Sequence, residues 1–272
     1  MQRRFLLTKI AMLKEISQNY IKKNLPLHTK KGRSESNMFI VEGEKYVSEI
    51  PFEWTVECYI ISESFTHNDI SAYEKRASVY VAKDHQYKKL SDTVTPQGIM
   101  AICKKQIYTV SNIDTDACLL LLCEALSDPG NVGALIRTAN ASGASAVILT
   151  QGCADLFNPK VIRASAGALF HIPCIVDEDA LEVTSFLRKH NVLLAAAHLK
   201  GDTSPYNVDM TKALCIMIGN ESSGLSSKIS AQADVSIKIP MKANAESLNA
   251  ASAGTVLLFE AVRQRLSTSP CQ

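Results

Sequence analysis

Three runs of aliphatic residues, at 117–123, 213–218 and 235–239, each stop at a cluster of Asp, Asn, Gly, Pro or Ser and give way to a helical pattern. The first two, too apolar for edge strands, bury both of their faces, as strands of a parallel sheet covered by helices do. Strand and helix alternate through residues 117–266, which predicts right-handed crossovers and a doubly wound α/β sheet. Open sheets of this kind bind ligands beyond the carboxyl ends of their strands, so the three breaks mark the functional edge.

The breaks read Asp128-Pro129-Gly130-Asn131, Gly219-Asn220-Glu221 and Ser247-Leu248-Asn249. A helix start leaves its first N–H groups without internal partners, so the hydroxyl of Ser247, the amide of Asn249 and free backbone amides converge on whatever fills the adjacent crevice. An ordinary N-cap explains the same residues. Gly219 and Gly224 allow backbone to turn tightly beside a ligand. Arg137 lies among Leu135, Ile136 and Ala139, where a guanidinium requires a carboxylate or a phosphate. A structural ion pair with Glu221 would meet that demand as well as a substrate would. His171 and His198 fall in apolar stretches and read as core or rim residues. The chain contains no GxGxxG, Walker lysine motif, GxSxG, HExxH or clustered Cys and His. Asn, Arg, Glu and Ser can orient and neutralise, so the chemistry depends on positioning an already activated group donor.

Ahead of this region, residues 39–105 alternate short strands and helical segments as a small layered domain, and the polar stretch 108–116 reads as a linker. The division expected is therefore 1–107 and 117–272. Apolar spacing predicts a helix over 5–23, followed by a Lys-rich loop through Gly32, Arg33 and Ser34. Residues 1–35 hold nine Lys or Arg against Glu15 and Glu35, although the net charge of the whole chain is only +2. Such an arm suits a polyanion, or is a solvated helix and linker. The eight cysteines form no CxxC pair and sit mostly in apolar runs, which fits reduced thiols in a cytoplasmic protein. No stretch is long enough to span a bilayer, so no membrane partner is expected.

The segments NVGALIRTANASGA, IMIGNESSGLS and IPMKANAESLNAASAGTVLLFEA, in this order, resemble the three motifs of the SpoU/TrmH family of SPOUT methyltransferases. FIVEGEKYV and TPQGIMAI are similar to the substrate-binding domain that precedes this fold. The resemblance implies methyl transfer from S-adenosylmethionine to a ribose 2′-hydroxyl of rRNA or tRNA, with the N-terminal domain favouring rRNA and with no metal. It implies a SPOUT α/β-knot, a parallel sheet with a C-terminal trefoil knot, acting as a homodimer through the knotted domain. Gly219, Ile239 and Leu248 would present backbone to S-adenosylmethionine. Asn131, Arg137, Glu221, Ser247 and Asn249 would line the transfer site, Arg137 close to the partner's pocket. A non-catalytic RNA-binding assembly factor on the same fold is the rival expectation.

Overall fold

The computed structural model describes residues 12–66, 70–242 and 247–268. Two compact units divide the chain: residues 1–106 with 157–162, and residues 107–156 with 163–272.

Unit 1 contains β1 (Lys14–Glu15), α1 (Gln18–Asn24), α2 (Lys30–Ser36), β2 (Met38–Glu42), α3 (Glu44–Ser48), β3 (Val56–Ser62), α4 (Ser71–Glu74), β4 (Ser78–Ala82), α5 (Asp84–Leu90) and β5 (Ile99–Lys104). Its strands lie in the order β1-β4-β3-β5-β2, with β5 antiparallel to β2 and β3. Two expectations fail here. The helix anticipated over 5–23 lies partly in residues 1–11, outside the described set, and Lys14 and Glu15 pair as a strand with Tyr80 and Val81. Helix begins only at Gln18, where the Ser17 hydroxyl accepts the Tyr20 N–H at 3.1 Å. The anticipated Lys-rich loop is also helix, because Thr29 caps it by accepting from the Gly32 N–H at 3.0 Å. Gly32 serves close packing rather than a turn, since a Cβ there would stand 2.1 Å from the Pro26 carbonyl oxygen.

Unit 2 contains β6 (Leu119–Cys123), α6 (Pro129–Ala141), β7 (Ala146–Thr150), α7 (Pro159–Ser165, which straddles the division), β8 (Cys174–Glu178), α8 (Ala180–Lys189), β9 (Leu193–Ala197), β10 (Leu214–Ile218), α9 (Ser227–Ser230), β11 (Val235–Ile237) and α10 (Ala250–Thr268). The sheet runs β11-β9-β10-β6-β7-β8 and all its pairings are parallel. Every residue of β6, β7 and β10 is buried, as their unbroken apolar composition requires. The direction of winding reverses between β6 and β10, and this is where a doubly wound sheet opens a crevice. Tyr108 forms a parallel bridge with Ile175, and Val110 and Ile113 pack on the buried cluster of this unit.

Two features fix α10 against the sheet. A Cβ on Gly254 would come within 2.3 Å of Leu135 Cδ2, so the glycine lets α10 approach α6 closely. At the far end, Arg265 donates to the carbonyls of Met210, Ala117, Cys118 and Lys212 at 2.7–3.1 Å. Among the described residues no helix is long and apolar enough to cross a membrane.

Candidate active site

The site grows from what happens when each apolar strand runs out. After β6 the chain turns at Asp128, whose carboxylate accepts the Asn131 N–H at 2.8 Å and starts α6. After β10, the helical pattern that follows the break is instead a tight turn followed by a single helical turn, Ser227–Ser230. Asn220 and Gly224 exchange backbone hydrogen bonds of 3.1 and 2.8 Å, while the Asn220 side chain accepts from Ser222 N–H at 2.9 Å. An Asn that bonds its own following backbone competes with helix, and Gly224 supplies the left-handed corner at φ +69°. The Asn220 amide also donates to the Ala125 carbonyl at 2.9 Å, which ties the turn to the end of β6. Before α10, Ser247, Leu248 and Asn249 remain outside the helix, and Asn249 Oδ1 caps it through Ala251 N–H at 2.9 Å and Ser252 N–H at 3.3 Å.

These three segments meet. Asn249 Nδ2 donates to Asn131 Oδ1 at 2.8 Å, and Asn131 Nδ2 donates to Glu221 Oε1 at 2.7 Å. The direction of this chain is fixed at both ends. Asn249 must present oxygen to the helix N–H groups, which leaves its NH₂ for Asn131, and Asn131 then has only its NH₂ to offer a carboxylate. Glu221 therefore pairs with Asn131, not with Arg137.

Beside this chain lies a cavity of about 310 Å³, within the range of about 300–1,000 Å³ that small-molecule sites occupy. Gly219, Ile239 and Leu248 all line it, together with Glu221 and Ser247. Its wall also includes Ala197, the last residue of β9, and His198, Leu199 and Lys200, which follow it. The sequence reading did not single out the segment after Leu193–Ala197 as part of the functional edge. His198, read as a core or rim residue, lines this cavity and accepts the Lys200 N–H through Nδ1 at 3.0 Å. That bond leaves the proton of the neutral ring on Nε2. His171, by contrast, is exposed.

Arg137 is the one expected site residue outside both the amide chain and the cavity lining. It is exposed and has no ion-pair or hydrogen-bond partner among the described residues, contrary to the apolar surroundings read from its neighbours. The six-residue step from Asn131 is about 1.7 turns, so the two side chains leave α6 on different faces. Among the described residues no group of three His, Cys, Asp or Glu gathers as a metal site. The seven described cysteines are all free, and burial raises their thiol pKa values, that of Cys58 to about 11.

A cavity walled by Ile218, Ile239, Leu248 and Met241 with backbone at its rim fits a compact ligand that is part apolar and part polar. The comparisons with known proteins agree. The SpoU rRNA Methylase family matches residues 118–259, and the MRM3-like substrate binding domain matches residues 18–101. The 23S rRNA (guanosine(2553)-2′-O)-methyltransferase RlmP of Bacillus subtilis is 31% identical over 238 residues, covering 86% of this chain and 92% of its own. Human mitochondrial rRNA methyltransferase 3 is 31% identical over 70% of this chain and 58% of its own. The SpoU methyltransferase AviRb of Streptomyces viridochromogenes, solved in complex with the cofactor AdoMet (S-adenosylmethionine), superposes with a TM-score of 0.84 at 26% identity, covering 92% of this chain and 99% of that one. A family match over more than half of the chain, three motifs joined in space and the shared fold lead to one conclusion: this chain belongs to the SpoU rRNA methylase family.

Proposed function

We propose that the protein methylates a ribose 2′-hydroxyl of 23S rRNA with S-adenosylmethionine as the donor. The observation that carries this reading is the Asn249–Asn131–Glu221 chain set beside a 310 Å³ cavity at the sheet's carboxyl edge. The choice of RNA is supported by the Bacillus subtilis relative, whose name specifies 23S rRNA. When bound, S-adenosylmethionine would supply a methyl group on a cationic sulfur: the ribose 2′-oxygen would bond to the methyl carbon, the carbon–sulfur bond would break to release neutral S-adenosylhomocysteine, and the hydroxyl proton would pass to water.

The residues of the chain supply the alignment, which can contribute up to about 7–11 kcal/mol when the reacting atoms are held at attack distance. Backbone of Gly219, Ile239 and Leu248 holds the donor. Ser247 and Asn249 orient the ribose, and Asn131 fixes Asn249 against Glu221. Arg137 grips the substrate phosphate; guanidinium stays charged at neutral pH, so it positions and stabilises charge rather than accepting the proton.

The proposal includes a homodimer through the knotted domain, in which the C-terminal segment threads a loop. In the monomer, α10 exposes Val256, Phe259 and Leu266, the last two at 46% and 71% accessibility. At 100° per residue these three side chains fall on one stripe of the helix. Phe259→Glu is expected to halve the mass measured by light scattering and to remove activity, because Arg137 then lacks the neighbouring pocket it serves. A fully active monomer would contradict this. The proposed site of action is the cytoplasm, where the seven free thiols would stay reduced.

Cofactor binding and transfer are tested separately. S-adenosylmethionine at 100 times its dissociation constant is expected to stabilise the fold by about 2.7 kcal/mol in thermal denaturation. Mass spectrometry of nucleosides from 23S rRNA incubated with protein and donor is expected to find one new ribose-methylated nucleoside. A thermal shift without any methylated product would favour a cofactor-binding assembly factor instead.

A further inference from the structure

Unit 1 carries a cationic surface that the transfer site does not use. The last turn of α1 carries Lys22 and Lys23, and the last turn of α5 carries Lys88 and Lys89. The two helices pack together through Ile21, Tyr87 and Leu90 in one buried cluster, and a ring nitrogen of His28 lies 3.2 Å from the Lys89 carbonyl oxygen. All four lysines are therefore held at one end of the unit, and all four are exposed. None has a carboxylate within 4.0 Å among the described residues, whereas Lys31 and Lys83 pair with Glu35 and Glu15 at 3.7 Å.

A helix C-terminus favours a nearby cation by about 0.3–1 kcal/mol, which accounts for a lysine on each helix taken alone. It does not account for four exposed lysines at two packed helix ends, where like charges repel and none has a carboxylate within 4.0 Å among the described residues. Such an arrangement becomes favourable against a polyanion, because each phosphate contact releases condensed counterions. All four lysines also fall inside the match to a substrate-binding domain at residues 18–101.

We infer that Lys22, Lys23, Lys88 and Lys89 form a phosphate-binding surface of unit 1 that grips the RNA backbone of the substrate. The inference rests on the RNA reading above and adds where the unit holds its substrate. Contacts of this kind carry affinity and orientation but no base sequence.

The test compares the full-length protein with a variant in which all four lysines are Gln, using anisotropy of a labelled 23S rRNA transcript across a KCl series. The slope of log affinity against log salt is expected to become shallower by about 3–4 in the variant. Between 50 and 200 mM KCl the wild type should therefore lose about a hundredfold more affinity than the variant. The matching Lys→Arg variant should retain the steep slope, and both variants should keep the melting temperature and the S-adenosylmethionine shift of the wild type. An unchanged slope in the folded Gln variant would overturn the inference. So would RNA binding that is unaffected while capture of an acidic protein is lost. Methyl transfer and the salt slope are independent readouts: a protein that binds RNA through these lysines yet transfers nothing leaves this inference standing and removes the proposed activity.

Discussion

Replacing Arg137 by alanine is expected to lower turnover by about 10²–10³-fold, the usual cost of removing one group that stabilises developing charge. The same change should leave the protein as stable as before, because Arg137 is exposed and has no partner among the described residues to lose. Substitutions at such positions stay within about 0.5 kcal/mol. Donor affinity should also persist, since Arg137 does not line the cavity. Arg137→Lys keeps the charge but loses the planar two-toothed fork that matches a phosphate, so it should fall close to alanine. Near-normal turnover in the lysine variant would remove the assigned role. The exposed position, turned away from Asn131, also suits service across the proposed dimer. An equal mixture of Arg137→Ala and Glu221→Ala proteins, exchanged into mixed dimers, should recover about one quarter of wild-type activity if each site draws Arg137 from its partner. No recovery would mean that each subunit uses its own arginine.

Gly219→Ala is expected to abolish donor binding. A Cβ at this position would stand 2.1 Å from the carbonyl carbon of Gly224 and 2.1 Å from the amide nitrogen of Leu225. Both obstacles are backbone, and both belong to the turn closed by the Asn220 and Gly224 hydrogen bonds, so no side chain can swing aside. The turn must open, and with it the wall of the cavity that Ser222, Ser223 and Gly224 form. The overpacking itself should cost about 1–3 kcal/mol of stability. Calorimetric titration is expected to show at least about a hundredfold weaker S-adenosylmethionine binding, or about 2.7 kcal/mol. Wild-type affinity in this variant would mean that the 219–224 turn is not part of the donor site.

Much of unit 2 is legible in the sequence because its signals are extreme. Leu119–Cys123 and Leu214–Ile218 are too apolar for anything but buried parallel strands, and Asp128, Gly219 and Asn249 punctuate their ends and the last helix start with residues that have few other uses. Where local signals conflict, reading fails. Ser222 to Ser226 look like a helix start, but the Asn220 side chain captures the first N–H groups and delays it to Ser227. Lys30–Ser36 contains a glycine and four charged residues, yet Thr29 caps it and Gly32 packs on Pro26. The two-residue strand at Lys14 exists only because β4 offers an edge, which no periodicity within residues 5–23 can reveal. The lining after β9 and the partner of Glu221 are likewise long-range facts, absent from any local window.

The hydrogen bond from Asn249 to Asn131 spans 118 residues of sequence. During synthesis the sheet edge bearing Asn131 leaves the ribosome well before the residue that completes it, and closure of so long a loop is slow. A nascent or truncated chain that ends before Asn249 thus has every described strand but lacks both α10 and the side chain that closes the Asn249–Asn131–Glu221 chain. Catalytic readiness becomes a report on completed translation.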